Sequence, residues 1–421
     1  MKFNKWTVAL AATGVVSLAS AVQADESHPV NTALSSTTLS GYVDTSAIWN
    51  LGSGVGKTPG ERNQVANRFA NTGSDRQDGF NVNTIKLQLE KPIDEGTWSA
   101  GYKVETMFGP DANVMPGALT SGVAIKQGYA ALRAPIGNGI DFKIGQFDPI
   151  VGYEVTDSYA NPNFSRSLGF NNLEPFGHTG ILASYQVNDI IGVSGGVANG
   201  DSGLGLNGGS LTASGFNSGQ SGSSFRGMLA ESSKVYMGSV VVKAPESAGW
   251  LSGSSLYVGA VNGDAKGSKN DPTLLYVGVS LATPIKELSL GASADLLFNA
   301  GGPNGSPLGN SYANAYAFYT GYQITEKLKA NNRIEYATSG YGAFLPGRAY
   351  VAAGVDAKVI PAIAAKDDKI IGETFTLDYA LWSNVLTRGE FRWDRSVDGG
   401  ANPFNGQKND LSLTASIVYK F

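Results

Sequence analysis

The sequence runs to 421 residues, with 31 Lys and Arg against 35 Asp and Glu, a net charge of −4, and no cysteine. That balance argues against a nucleic-acid partner, which calls for a basic patch, and the missing thiol excludes disulfides and cysteine nucleophiles. His28 and His178 are the two histidines of the chain, which excludes a multi-histidine metal site; no cofactor or metal is expected.

The chain opens with Lys2 and Lys5, an apolar run over residues 6–18, and two small-residue sites, Ala19-Ser20-Ala21 and Val22-Gln23-Ala24. This is the layout of a secretory signal peptide. Cleavage is expected after Ala24 rather than Ala21, because it leaves the polar start Asp25-Glu26-Ser27. Residues 1–24 therefore stand apart from the fold, 25–37 form a short N-terminal segment, and 38–421 form one domain. No later segment holds eighteen consecutive apolar residues, so an exported chain of this kind cannot span a membrane as a helix. A closed barrel is the remaining spanning structure, because lipid leaves the free edge of an open sheet without hydrogen-bond partners. The 55 Gly, 10 % aromatic and 16 % charged residues suit it.

Alternation of apolar and polar residues, punctuated by Gly, Pro, Asn and Asp, predicts strands over 38–49, 80–91, 97–108, 123–134, 140–147, 178–187, 190–198, 234–243, 251–261, 273–283, 288–298, 312–323, 328–337, 370–382, 385–394 and 410–421. The connections alternate short and long. Residues 92–96, 135–139, 188–189, 244–250, 284–287, 324–327 and 383–384 are tight, and the segments between those hairpins are longer. The expectation is all-β: a transmembrane antiparallel β-barrel of about sixteen strands, within a range of about 14 to 18, with short periplasmic turns and long external loops. In the third strand Trp98 and Phe108 share the apolar phase with Ala100, Tyr102, Val104 and Thr106. Their separation corresponds to roughly 25 Å along the membrane normal, the height between two aromatic girdles. Tyr312 and Tyr322 repeat the spacing. Val240, Val241 and Val242 run together, and Asn332 interrupts the apolar phase of its strand.

The run Gly128-Tyr129-Ala130-Ala131-Leu132-Arg133-Ala134-Pro135-Ile136-Gly137-Asn138-Gly139, followed by Asp141-Phe142-Lys143-Ile144-Gly145-Gln146-Phe147-Asp148 and Gly152-Tyr153-Glu154, resembles the OmpL-like β-barrel porin family. Asn161-Pro162-Asn163-Phe164-Ser165-Arg166-Ser167, Glu174-Pro175, His178-Thr179-Gly180, Gly41-Tyr42-Val43-Asp44 and Lys86-Leu87-Gln88-Leu89-Glu90-Lys91-Pro92 extend the resemblance, which spans the chain from about residue 38. It implies a porin of the bacterial outer membrane. The last twelve residues agree: Leu411, Leu413, Ala415, Ile417, Tyr419 and Phe421 share one phase, opposed by Asp410, Ser412, Thr414, Ser416 and Lys420, with Val418 as the exception. This ending resembles the closing strand of outer-membrane barrels, whose assembly machinery reads a terminal aromatic residue.

If the apolar phases face lipid, the interior carries Lys86, Glu90, Lys103, Glu105, Lys126, Asp141, Lys143, Asp295, Lys329, Arg333, Glu335, Asp378, Arg388, Glu390, Arg392 and Asp394. Sixteen strands leave room for an aqueous channel. Of these residues, Lys86, Lys103, Glu105, Lys126, Lys143, Arg333, Arg388 and Arg392 are the pore-wall candidates. The third long connection, 148–177, has no evident secondary structure but carries Tyr153, Tyr159, Phe164, Phe170 and Phe176, too aromatic for a solvated tail. General porins fold their third external loop inward, and by that resemblance Asp148, Glu154, Asp157, Arg166 and Glu174 are the constriction candidates. Residues 199–233 read as a mobile, low-complexity surface loop, and Asn262-Gly263-Asp264 with Asn270-Asp271 as solvated turns without EF-hand spacing.

The function expected is passive diffusion of small hydrophilic solutes or ions, with outer-membrane lipids and the barrel assembly machinery as partners and a homotrimer as the general-porin analogue. Two alternatives remain open on sequence. One is an outer-membrane enzyme of lipase or protease type built around His178; the other is a secreted β-sandwich that adheres to surfaces or binds glycans.

Overall fold

A computed structural model describes residues 30–31, 36–51, 76, 78–115, 118–120, 122–199, 234–263, 272–299, 312–340, 368–397, 404 and 407–421. The expected signal peptide, most of the low-complexity loop, and Asp264, Asn270 and Asp271 lie outside these residues.

Sixteen long strands form the wall: β1 (Thr38–Asn50), β2 (Gly79–Lys91), β3 (Ser99–Phe108), β4 (Val123–Ala134), β5 (Ile140–Phe147), β6 (His178–Gln186), β7 (Ile191–Asn199), β8 (Lys234–Lys243), β9 (Ser255–Asn262), β10 (Thr273–Leu281), β11 (Leu288–Phe298), β12 (Tyr312–Gln323), β13 (Leu328–Ser339), β14 (Asp368–Trp382), β15 (Val385–Ser396) and β16 (Asn409–Lys420). Each pairs antiparallel with the next, and β16 pairs with β1 from Ser412 opposite Asn50 to Lys420 opposite Tyr42, so the sheet closes with no edge. The ring is extended by two small strands, Val30–Asn31 beside β1 and Ala118–Thr120 beside β4. Closure excludes the sandwich alternative. Phe421 completes the seam through reciprocal backbone hydrogen bonds with Gly41, at 2.9 and 3.0 Å.

Away from the bulges, the two phases of most strands divide as the alternation predicts. On β16, Leu413, Ala415, Ile417 and Tyr419 are exposed on the outside, while Asp410, Thr414, Ser416 and Val418 are buried inside. Trp98, Phe108 and Tyr322 are exposed on the same outer surface, as an apolar belt against lipid requires. Asn332, the polar interruption, lies on that surface, where its Nδ2 donates to the Thr374 carbonyl at 3.4 Å.

Several boundaries differ from expectation by one or two residues, and one by four. The strand expected from 251 begins at Ser255, because a 3-10 turn over Glu246–Leu251, kinked at Gly249 with φ 64°, occupies the start. The strand expected from 97 begins at Ser99 and leaves Trp98 just outside. Bulges also break the strict period of two. Asp44 opposes Thr84 and Thr45 opposes Val82, so Asn83 is extra; Glu105 opposes Gln127 and Thr106 opposes Ile125, so Lys126 is extra. An extra residue re-aims a side chain. Asn83 and Thr84 are both buried on the inner side, as are Lys126 and Gln127.

Candidate pore constriction

The connection from β5 to β6, residues 148–177, turns inward and is held by inner faces on nearly every side. Its 3-10 turn over Ser158–Ala160 is absent from the sequence reading, as is its α-helix, α1 (Leu168–Asn172). Five residues give too little periodicity to detect it. Its start is fixed by Ser167, whose Oγ accepts from the Phe170 N–H at 3.1 Å. Asn161 shapes the preceding turn, accepting from the Val155 N–H at 2.8 Å and donating to the Val155 and Asp157 carbonyls at 2.7 and 3.1 Å. Tyr153 stacks on Tyr319 of β12 with centroids 4.2 Å apart, and the Tyr257 hydroxyl of β9 donates to the Ile150 carbonyl.

Three arginines of the far wall grip the loop backbone. Arg333 of β13 pairs with Glu154 at 2.8 Å and Glu335 at 2.7 Å, and donates to the Ser165 carbonyl at 2.6 Å. Arg388 of β15 donates to the Ser158 and Asn161 carbonyls at 2.5 and 2.6 Å, and Arg392 to the Arg166 carbonyl at 2.7 Å. Carboxylates of the same wall take the loop's N–H groups: Glu390 accepts from Phe164 at 2.6 Å and Ser165 at 3.0 Å, and Glu335 from Leu168 at 2.5 Å. Arg166 is itself turned into the loop, donating to the Val155, Thr156 and Phe164 carbonyls. Arg166 and Glu154 are each 1 % exposed and Arg333 is 0 % exposed, so these groups are closed off from solvent. Burial raises the Glu154 carboxyl above the usual range, against the pull of Arg333.

On the opposite wall the contacts are ion pairs. Lys86 of β2 meets Asp157 at 2.6 Å and Lys126 of β4 meets Asp148 at 2.8 Å. Between them Glu105 of β3 accepts from Lys103, Lys126 and Lys86 at 3.0, 3.3 and 3.4 Å, and from Gln127 at 2.9 Å. The Tyr42 hydroxyl donates to Asp157 at 2.9 Å, and Ser158 donates to Asp44. Burial alone would raise the Asp157 carboxyl, but Lys86 and Lys126 beside it hold it below the usual range. Lys143 of β5 lies 5.3 Å from the centroid of the Tyr129 ring.

Solvent access divides the loop. Most of residues 161–177 are buried, whereas Asp148, Val155, Asp157, Tyr159 and Ala160 are half-buried, as are the inward Gln88, Glu90, Lys103, Tyr129 and Lys143 of the facing wall. The half-buried acids of the loop therefore face β2 to β5. Asp148 and Asp157 lie on that side with Lys86, Lys103, Glu105, Lys126 and Lys143; Glu154, Arg166, Arg333, Arg388 and Arg392 lie on the braced side. Glu174 is buried against Asp295 of β11. Sequence reasoning did not single out Gln127, Asn83, Tyr42, Asp44 and Ser158. The bulges hid the first two, and the others depend on contacts between segments far apart in sequence.

Residues 36–421 match the family described as "Putative beta-barrel porin-2, OmpL-like". No curated protein is detectably similar in sequence. Among solved structures, the outer membrane channel DcaP of Acinetobacter baumannii superposes with a TM-score of 0.58 at 12 % identity, covering 93 % of this chain and 99 % of that one. OmpF of Salmonella typhi, solved in complex with daunomycin, gives 0.54 at 14 % identity over 91 % and 97 %. The trimer form of OmpT, an outer membrane protein of Vibrio cholerae, gives 0.53 at 10 % identity over 91 % and 99 %. These likenesses are of fold.

Proposed function

This chain belongs to the OmpL-like β-barrel porin-2 family and is a porin of the bacterial outer membrane, and on that footing we propose that it is a passive, water-filled diffusion channel for small hydrophilic solutes and not an enzyme. The observation that carries the reading is the inward loop. A closed barrel of sixteen strands encloses a lumen wide enough for water, and residues 148–177 narrow it to the side lined by β2 to β5. The constriction is formed by Asp148 and Asp157 from the loop and Lys103 and Lys143 from the wall, with Lys86, Lys126 and Glu105 behind them. Charges at such a point act strongly, because low-dielectric walls confine the field. Lys126 and Lys86 neutralise the two loop acids by contact, so the passage presents paired charges in place of an acidic face opposing a basic one. Glu154, Arg166, Arg333, Arg388 and Arg392 hold the loop in place. Glu174 belongs with these anchors.

The enzyme alternative rests on His178, which is buried at the start of β6 with its ring centroid 6.4 Å from that of Phe147 and its Nε2 without a hydrogen bond. Among the described residues His178 has no hydrogen-bonded acid or nucleophile of the kind a triad uses, which favours the channel reading. Outer-membrane lipids, the barrel assembly machinery and two further copies of the chain in a homotrimer are the partners proposed.

Single-channel recording in a planar bilayer tests the reading. The wild type is expected to conduct continuously, and a variant lacking residues 155–172 to conduct more per channel. A correctly folded deletion variant with unchanged conductance and ion selectivity would remove the constriction, and a wild type without channels would remove the function.

A further inference from the structure

Beside the arginine clamps, one contact of the loop with the wall brings two acids together. Glu174, which follows α1, meets Asp295 on the inner face of β11; the two are 6 % and 2 % exposed, and their carboxyl groups lie within hydrogen-bonding reach of each other. Two ionised carboxylates cannot share a hydrogen bond, so one proton is held between them. Among the described residues, the charges that act on the pair are those of other acids. Glu154 lies nearby on the loop with its own negative charge, and the groups that face the pair from β10 and β12 are the Tyr276 ring and the Ala315 methyl. Glu174 Oε2 and Asp295 Oδ1 accept no hydrogen bond among the described residues. Backbone geometry has made room for the pair. A Cβ at Gly152 would strike the Glu174 carboxyl and one at Gly169 would strike that of Asp295, and Gly152 has φ 124°, where a side chain is strained in any case.

We propose that Glu174 and Asp295 form a proton-dependent latch that holds the C-terminal half of the inward loop against β11 and is released by alkali, opening the lumen beside β11. This rests on the channel reading above. Burial, reinforced by the charges of Asp295 and Glu154, holds the Glu174 carboxyl well above the usual carboxylate range. The sign follows from that direction. An acid whose folded value is raised favours the folded arrangement while protonated, and that contribution falls away as pH rises from the ordinary carboxylate value through the raised one. At neutral pH the proton is in place and the loop is seated. When it is lost, two anions in contact inside a dry pocket repel each other, and residues 169–174, which follow the clamped backbone, are the part free to move. The arginine clamps keep their charge in alkali, so release is confined to the β11 side.

The test compares the full-length wild type with Glu174→Gln, whose amide can donate to Asp295 without titrating. Conductance of the wild type is expected to rise reversibly from neutral to alkaline buffer, and E174Q is expected to stay at the neutral level throughout. A parallel readout does not depend on ion flow: because the chain has no cysteine, Asn172→Cys accepts a single spin label, whose mobility in vesicles should increase in alkali and remain unchanged in the E174Q background. Strand content and heat-modifiable mobility on gels check that each variant is folded. Constant conductance and constant label mobility in the wild type would overturn the latch, as would the same alkaline response in E174Q. A wild type that passes no current at any pH would end the channel reading, and the label would still decide the latch.

Discussion

At the scale of single residues, the loop is held by charges that are costly when left alone. Arg333 is wholly buried between Glu154 and Glu335. Removing one partner of such a pair leaves a buried charge uncompensated and costs about 3 to 5 kcal/mol, more than the pair itself contributes over apolar groups of the same size. Arg333→Met should therefore lower resistance to urea markedly, and adding Glu154→Gln should recover part of the loss. A double variant no more stable than the single one would show that the pair acts through packing and not through charge. Asp157 behaves in the opposite way to Glu174. Its folded value is lowered, so its pairing with Lys86 is present above the ordinary carboxylate range and is lost only as pH falls through the lowered value. Mild acid therefore leaves the β2 side of the loop attached.

At the scale of elements, each strand is a boundary between lipid and water, and the period of two puts adjacent residues in opposite media. Leu413 is 39 % exposed on the outer face of β16 beside Ser412 on the inner face, and Val104 occupies the same outer position on β3 between Trp98 and Phe108. A charge at the midplane of the lipid face costs about 2 to 4 kcal/mol, whereas the lumen hydrates it. Leu413→Arg and Val104→Arg should reduce the yield of heat-modifiable barrel on refolding into vesicles, and Ser412→Arg should not. Equal yields would contradict the assignment of faces. The bulges are the elements' second lesson. By placing Lys126 and Gln127 side by side on the inner surface, the bulge in β4 gives Glu105 two donors from consecutive residues, which a regular strand cannot do.

At the scale of the whole molecule, closure and the inward loop depend on each other. A barrel of sixteen strands has more interior than its own side chains can fill, and the loop occupies part of that space while its polar backbone is satisfied by the charged wall. The outer belt has no comparable constraint, and its apolar residues suit either lipid or a second barrel. The homotrimer is checked by native electrophoresis of the detergent-extracted protein, with a band at three times the monomer mass expected. A monomer at every detergent concentration would set it aside.

Strand positions, the count of sixteen, the alternation of short turns and long loops, and the division into lipid-facing and lumen-facing phases were all legible in the sequence, because each follows from local rules: a period of two, turn residues, and the cost of exposing polar groups to lipid. The same rules put Lys103, Glu105, Arg333 and Arg388 on the inner side, since they alternate with apolar neighbours. Tertiary structure alone decided which charges meet. Arg333 and Glu154 are far apart in the chain, as are Glu174 and Asp295, and no periodicity links them; they meet because a closed wall brings opposite strands to face one another across a lumen that the loop enters. The bulges at Asn83 and Lys126 were equally invisible, because a shift of one residue in register is decided by the partner strand. The sequence could therefore place the charges inside but not say which of them the passage would meet, since that depends on distances across the barrel.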